Sequence, residues 1–303
     1  MPARSPFALA ALACAAVRGL EPVQVQALTA SADDVDAAVI DDNLKRRWVV
    51  RAPRNTAAGV RMDQEAQLIS QLMSWVPFAL PQVEGTAPLR TGGRAVVHRQ
   101  LPGRALQPIE LIHRPGLANA LGRALAAVHD LPTRLVEDAG LPVYTAEEYR
   151  YRRLAEVDRA AGTGQVPARL LERWERAVEE AGAWRFMPCC VHGDLAGEVV
   201  LVDGDSITGI IEWSEARVAD PADDLAWLAV GSAVPALDTV YTAYTAARRE
   251  LVDKDLRRRA QLAGELAVAR WLLHGVTSDD AAVVDDAVQM LSDLDSAVAD
   301  ATW

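Results

Sequence analysis

The chain has little with which to build a disulfide framework or a zinc site. Its 303 residues hold three cysteines, Cys14, Cys189 and Cys190, and five histidines. Adjacent cysteines rarely bridge each other, and no zinc-ligand spacing occurs among these side chains. A reducing compartment fits that usage, with Cys189 and Cys190 expected as packing in an apolar lead-in. Positive charge is also short, because the formal net charge is −11. Nucleic acid and anionic membrane surfaces attract Lys and Arg, so neither is expected as a partner. The acidic balance is compatible with a cationic small molecule and with a cytoplasmic protein. Long apolar runs are missing as well. Residues 7–17 follow Arg4 as a signal peptide would, yet Ser5-Pro6 reads as a helix start. Leu9, Leu12 and Val17 are spaced helically and Gly19 is a stop, so a structural first helix is the expectation. No other segment is apolar for long enough to cross a membrane. There is no internal repeat and no low-complexity tract beyond a bias to alanine.

What is present is the composition of a globular protein of one or two domains, half of it hydrophobic and 24% charged. Residues 23–28 alternate, 35–40 are apolar with β-branching, and 47–52 form a third strand that Pro53 stops. Asp41-Asp42-Asn43 turns the chain between the second and third. Residues 63–75 carry Leu68, Ile69, Leu72 and Met73 at amphipathic-helix spacing, ended by Pro77 and Pro81. Short strands follow around 81–83 and 95–99, and Leu101-Pro102-Gly103 breaks the pattern. After that break helices are expected at 116–129, 147–161, 168–183, from 222, then at 236–249, 256–273 and 279–298. The fold class is therefore α+β, with a small β-rich lobe over 1–102 and a larger helical lobe over 103–303. A ligand cleft is expected where two such lobes meet.

The helical part is interrupted at 191–213, and this stretch carries the chemistry. An apolar approach ends in His192-Gly193-Asp194. The run Val199 to Val202 closes on a turn at Asp203-Gly204-Asp205, and a second strand, 207–211, delivers Glu212 and Trp213. One acid thus stands on a loop and another at the end of a hairpin. In phosphoryl transfer one acid can orient a hydroxyl while the other holds a metal against phosphate oxygens.

Three segments in this order, His192-Gly193-Asp194-Leu195, then 211–217 (IEWSEAR), then 220–226 (DPADDLA), resemble the core of aminoglycoside-phosphotransferase-type kinases. The segments RRWVVRAPR (46–54) and EWSEARVADPADDLAWL (212–228) resemble the macrolide 2′-phosphotransferase branch in particular. The lobe order agrees over nearly the full length. The resemblance implies a two-lobed, protein-kinase-like fold with a nucleotide-binding N-terminal lobe. It implies that Asp194 is the catalytic-loop aspartate, that His192 shapes its turn, and that Glu212 is the metal-binding acid. It also implies that Arg51 contacts phosphates with Glu65 as its ion-pair partner, an arrangement suited to guanidinium geometry. Mg2+ and GTP or ATP are the implied cofactors, a macrolide antibiotic or similar small molecule the implied acceptor, and a monomer the expected state.

The chain departs from that pattern in three places. Val199 stands where the family has a second metal ligand, and valine coordinates nothing. Glu198, its neighbour, could substitute if the loop shifts by one residue, but regular strand alternation would point it to the opposite side. Glu212 replaces the family's aspartate, and the first hairpin loop, 29–35, has no glycine. An active macrolide kinase, a kinase-fold binder with weak or lost catalysis, and a kinase for another small alcohol all remain open. Asp220 and Asp224 read as caps and loop anchors, with Asp224 a candidate cap of the helix that follows. His98, His113, His129 and His274 read as structural. Trp213, Trp227 and Trp271 read as core, with either of the last two also a candidate wall for a macrolide. Glu215, Asp220 and the Asp279-Asp280 segment are candidate partners for an amino-sugar cation.

Overall fold

A computed structural model describes residues 3–28, 34–90, 92–231 and 234–298. Backbone contacts divide the chain into two units. The first is Met1–Gln107 with Arg134–Leu141 and Gly197–Ala216; the second is Pro108–Thr133, Pro142–Ala196 and Arg217–Trp303.

In the first unit the β-branched, alternating segments near the N-terminus build an antiparallel sheet. Its strands are β1 (Pro22–Leu28), β2 (Val35–Asp42), β3 (Arg47–Pro53), β4 (Val83–Pro88) and β5 (Arg94–Arg99), in the spatial order β1-β2-β3-β5-β4. Side chains alternate across a strand, and β3 shows what that does here. Trp48, Val50 and Ala52 join a buried cluster with Ile40, Val97 and the first helix, whereas Val49 and Arg51 line a cavity. That first helix, α1 (Pro6–Ala16), starts on the Ser5 side chain, which accepts from the Ala8 amide at 3.2 Å. It buries Leu9, Ala10 and Ala13 against the sheet.

The strand expected around 81–83 lies at Val83–Pro88, and the helix expected over 63–75 ends at Leu72. Two further boundaries differ from the sequence expectation, each for a local reason. β2 runs on through Asp42, because that carboxylate accepts from the Leu44 and Arg46 amides and from the Trp48 indole, and so organises the turn after it. The second helix, α2 (Thr56–Leu72), starts well before residue 63, since Asn55 caps it by accepting from the Ala58 amide at 2.8 Å. The loop read as lacking glycine falls mostly outside the described residues, which omit 29–33. Arg104–Ala105, Val200–Asp203 and Ser206–Ile210 form a separate three-stranded sheet in this unit.

The second unit is helical: Pro115–His129, Ala146–Ala161, Ala168–Glu179, Val234–Ala247, Leu256–Ser278 and Ala281–Ala297 are its longer helices. Its core packs Tyr149, Val157, Trp174, Leu266 and Leu291 together. The expected helix over 168–183 ends at Glu179 and tightens into a 3-10 turn, Ala181–Trp184. The one expected from 222 begins as a 3-10 segment, Pro221–Leu225. Trp213 is buried, but Trp271 is 39% exposed, stacked on His274 with its indole donating to Asp286. Trp271 is therefore not core, because Leu272 takes the inward position beside it. Asp279 ends Leu256–Ser278 in the left-handed region, and Asp280 caps the next helix. No helix among the described residues is long and apolar enough to cross a membrane.

Candidate active site

Within the first unit the inward side of the sheet leaves a cavity of about 350 Å3. Val35, Ala37, Val39 and Val49 form part of its wall, and Leu201 and Ile211 also line it. An apolar slot of this size with a few convergent polar groups is the usual form of a small-molecule site. The polar groups are Arg51, His98, Gln100, Arg104, Glu198 and Glu212. His98, expected only as a structural residue, thus reaches the cavity. Burial pushes its imidazole below the ordinary value, opposed by its hydrogen bond to the Arg99 carbonyl. With Nδ1 2.8 Å from that carbonyl, Nδ1 carries the proton and Nε2 is left as an acceptor.

Arg51 and Glu65 meet as the family resemblance implies. The Arg51 Nη1 group donates to both Glu65 oxygens, at 3.0 and 2.8 Å, and the glutamate is buried. Glu65 also accepts from the Trp213 amide at 3.0 Å. One carboxylate on α2 therefore holds the β3 arginine and the backbone next to Glu212. Glu212 itself adopts a left-handed conformation (φ 67°, ψ 56°) between the strand Ser206–Ile210 and the 3-10 turn Trp213–Glu215. A non-glycine residue there costs conformational energy and persists only where its surroundings enforce it. The enforcing contacts are the Trp213 amide on Glu65 and the Trp213 indole on the Ile210 carbonyl.

The segment before that hairpin is not a strand. Gly197–Val199 is a 3-10 turn, held by the Leu106 amide on the Gly197 carbonyl and the Ile211 amide on the Val199 carbonyl. Strand alternation therefore does not apply, and the expectation that Glu198 points away from the site is overturned. Glu198 lines the cavity, while Val199 is buried at 6% exposure.

His192 and Asp194 belong to the second unit. The strand Cys189–Val191 pairs with Arg217–Ala219 and leads into the loop. The backbone amides of His192 and Gly193 donate to the two oxygens of Asp224, each at 2.8 Å. Asp224 is fully buried and also meets His129 Nε2 at 3.1 Å, with His129 Nδ1 on the Tyr244 hydroxyl. Burial raises its carboxyl, but the hydrogen bond and charge of His129, the charge of His192 and the Gly193 amide outweigh it and bring the pKa below the ordinary value. Asp224 is thus an anchor of the His192–Asp194 loop rather than a helix cap; Asp220 is the cap, accepting from Ala222, and is paired with Arg259. Gly193 takes φ 86°, which only glycine adopts freely, and its carbonyl accepts from Arg217. Arg217 and Arg153 both pair with buried Asp223, which also accepts from the Tyr149 hydroxyl. The Asp194 side chain is exposed and has no hydrogen bond or ion pair among the described residues. Sequence reasoning gave Asp224 as a loop anchor or cap but missed the Asp223 network and the His192 and Gly193 amides that Asp224 holds. The available signal was the 220–226 segment, which carries Asp220, Asp223 and Asp224 among Pro, Ala and Leu.

The sequence model of the phosphotransferase enzyme family, APH, matches residues 24–271. Viomycin phosphotransferase of Streptomyces vinaceus is 31% identical over 198 residues, covering 59% of this chain and 65% of its own length. The chain spans 65% of the length of each of the curated relatives it matches. Among solved structures, macrolide 2′-phosphotransferase type I superposes with a TM-score of 0.77 at 26% identity, over 96% of this chain and 99% of that one. The GDP complex of aminoglycoside 2′-phosphotransferase-IIIa superposes with a TM-score of 0.81 at 20% identity, over 96% and 98%. The fold is the α+β, two-lobed, protein-kinase-like one that these proteins share.

Proposed function

The chain belongs to the phosphotransferase enzyme family, APH, and from that premise we propose that it moves the γ-phosphoryl group of GTP or ATP to the 2′-hydroxyl of a macrolide amino sugar. The observation that carries this reading is Asp194, whose carboxylate is exposed and unpartnered among the described residues on a loop pinned from beneath by a buried acid. A carboxylate so held can accept the hydrogen bond of an acceptor hydroxyl and take its proton as the new P–O bond forms and the bond to the leaving nucleoside diphosphate breaks. His192 serves that loop as part of its anchored backbone.

The nucleotide belongs in the cavity of the first unit. Arg51 supports this, because Glu65 occupies only its Nη1 group and the remaining guanidinium donors have no partner among the described residues. Fixed in orientation by Glu65, those donors suit phosphate oxygens. A magnesium ion bound with the nucleotide supplies charge neutralisation on the phosphates. The donor set fits it, since the Glu212 carboxylate is a hard oxygen ligand with no partner of its own among the described residues. GTP and ATP are intracellular donors, so the cytoplasm is the compartment this reading requires.

A second reading keeps the chemistry and changes the acceptor to another antibiotic or small alcohol; the similarity to viomycin phosphotransferase favours it. Both are tested together. Purified protein is incubated with magnesium, GTP or ATP, and a panel of macrolides, viomycin and aminoglycosides, and products are read by mass spectrometry. A gain of one phosphoryl group on a macrolide, abolished in Asp194→Ala, is the expected outcome. A gain on another acceptor alone moves the assignment to the second reading. Nucleotide and macrolide binding with no transfer to any acceptor would overturn both and leave a binding module.

A further inference from the structure

Resting on the reading above, we infer that Glu198 supplies the second carboxylate to the magnesium held by Glu212, taking over the part that a valine at position 199 cannot perform. Three observations converge. The 3-10 turn Gly197–Val199 separates the two neighbouring side chains, sending Val199 into the interior and Glu198 to the cavity that Arg51 and Glu212 line. Backbone hydrogen bonds on both sides of Glu198, Leu106 to Gly197 and Ile211 to Val199, fix this arrangement and tie it directly to the residue before Glu212. Lastly, Glu198 and Glu212 have no hydrogen bond or ion pair among the described residues, whereas buried acids of this chain such as Asp36, Glu65, Asp220 and Asp223 are matched to arginines.

Glu198 and Glu212 are hard oxygen donors that line one cavity, and a divalent cation shared by them would offset their mutual repulsion. Magnesium is suited to one or two carboxylates together with nucleotide phosphates, and the donor chemistry here is of that kind. The extra methylene of glutamate over asparagine gives reach from a position one residue earlier in the loop. Arg51 is already engaged by Glu65, so it does not neutralise these two acids by itself.

The test uses the full chain, GDP and Mn2+ as the probe, with free manganese read by electron paramagnetic resonance and nucleotide binding read separately by calorimetry without metal. Glu198→Gln is expected to weaken Mn2+ binding in the GDP complex by about tenfold or more, the scale of a lost ligand or its support. GDP affinity without metal stays within about twofold or rises, since only a negative charge has been removed. Glu198→Asp retains most of the manganese affinity. The exposure of Glu198 keeps these variants folded, which an unchanged melting temperature checks. Manganese affinity unchanged in Glu198→Gln while Glu212→Gln loses it would overturn the assignment of Glu198 and leave the proposed function standing. Wild-type protein that binds neither GDP nor ADP, with or without metal, would overturn the proposed function and this inference with it.

Discussion

Position 199 shows how far one side chain can be read alone. By the family resemblance it stands where a polar ligand is expected, so replacing it with asparagine would be expected to repair a metal site. In the fold Val199 is buried in a 3-10 turn, and the cavity is served by its neighbour. Val199→Asn then buries an amide without partners, a change that costs about 1–3 kcal/mol. Urea unfolding should show that loss, and turnover should not rise. A variant as stable as wild type with faster turnover would return the ligand role to this position. Glu65 makes the same point from the other side. Its pairing with Arg51 is what the family resemblance implies, but its second bond, to the Trp213 amide, has no sequence signal.

Among the elements, α1 and α2 are set by different kinds of information. α1 starts on Ser5-Pro6, as the local residues require, and it is pressed onto the sheet at its other end. A Cβ on Gly85 of β4 would lie 2.3 Å from the Ala16 carbonyl oxygen, so the absence of a side chain is what admits the helix. Gly85→Ala should therefore destabilise the protein by about 2–3 kcal/mol, an overpacking cost against backbone that cannot yield. Its urea midpoint should fall below wild type; an unchanged midpoint would mean that α1 is not seated there. The apolar spacing of α2 is clear only after residue 63, whereas the cap at Asn55 decides where it begins. In the same way the run from Val199 to Val202 reads as a strand from its valines, yet backbone hydrogen bonds to Leu106 and Ile211 wind Gly197–Val199 into a turn before it.

At the scale of the whole molecule the buried charges predict the pH response. Asp36, Asp42, Asp223, Asp224 and Glu156 all sit below their ordinary values, burial raising each and hydrogen bonds and arginine or histidine charges outweighing it. Asp42 is held at about 2. Carboxyls lowered on folding contribute stability above their unfolded values near 4 that is lost as pH falls through the folded ones. His98 is lowered too, by burial, so the unfolded chain takes up its proton first and stability begins to fall as pH drops past about 6.5. Asp220 opposes the trend, because burial raises it in spite of Arg259. The melting temperature should therefore decline gently from pH 7 to 5 and steeply below pH 4. His98→Gln should flatten the gentle part and leave the steep one. A melting temperature that rose on acidification from pH 7 to 4 would contradict this balance.

The sequence by itself determined the α+β class, most helices, the β2–β3 meander and the candidate acids Asp194 and Glu212. Those features rest on periodicity and on short motifs whose residues are neighbours along the chain. Only the tertiary structure decided that Asp224 anchors the His192–Asp194 loop and that Glu65 holds the backbone beside Glu212. It also decided that Glu198, and not position 199, reaches the cavity. Each of these depends on groups between 31 and 148 residues apart, or on a turn held by backbone bonds to Leu106 and Ile211. Local propensity carries no record of partners that far away, because their meeting is set by how the elements pack.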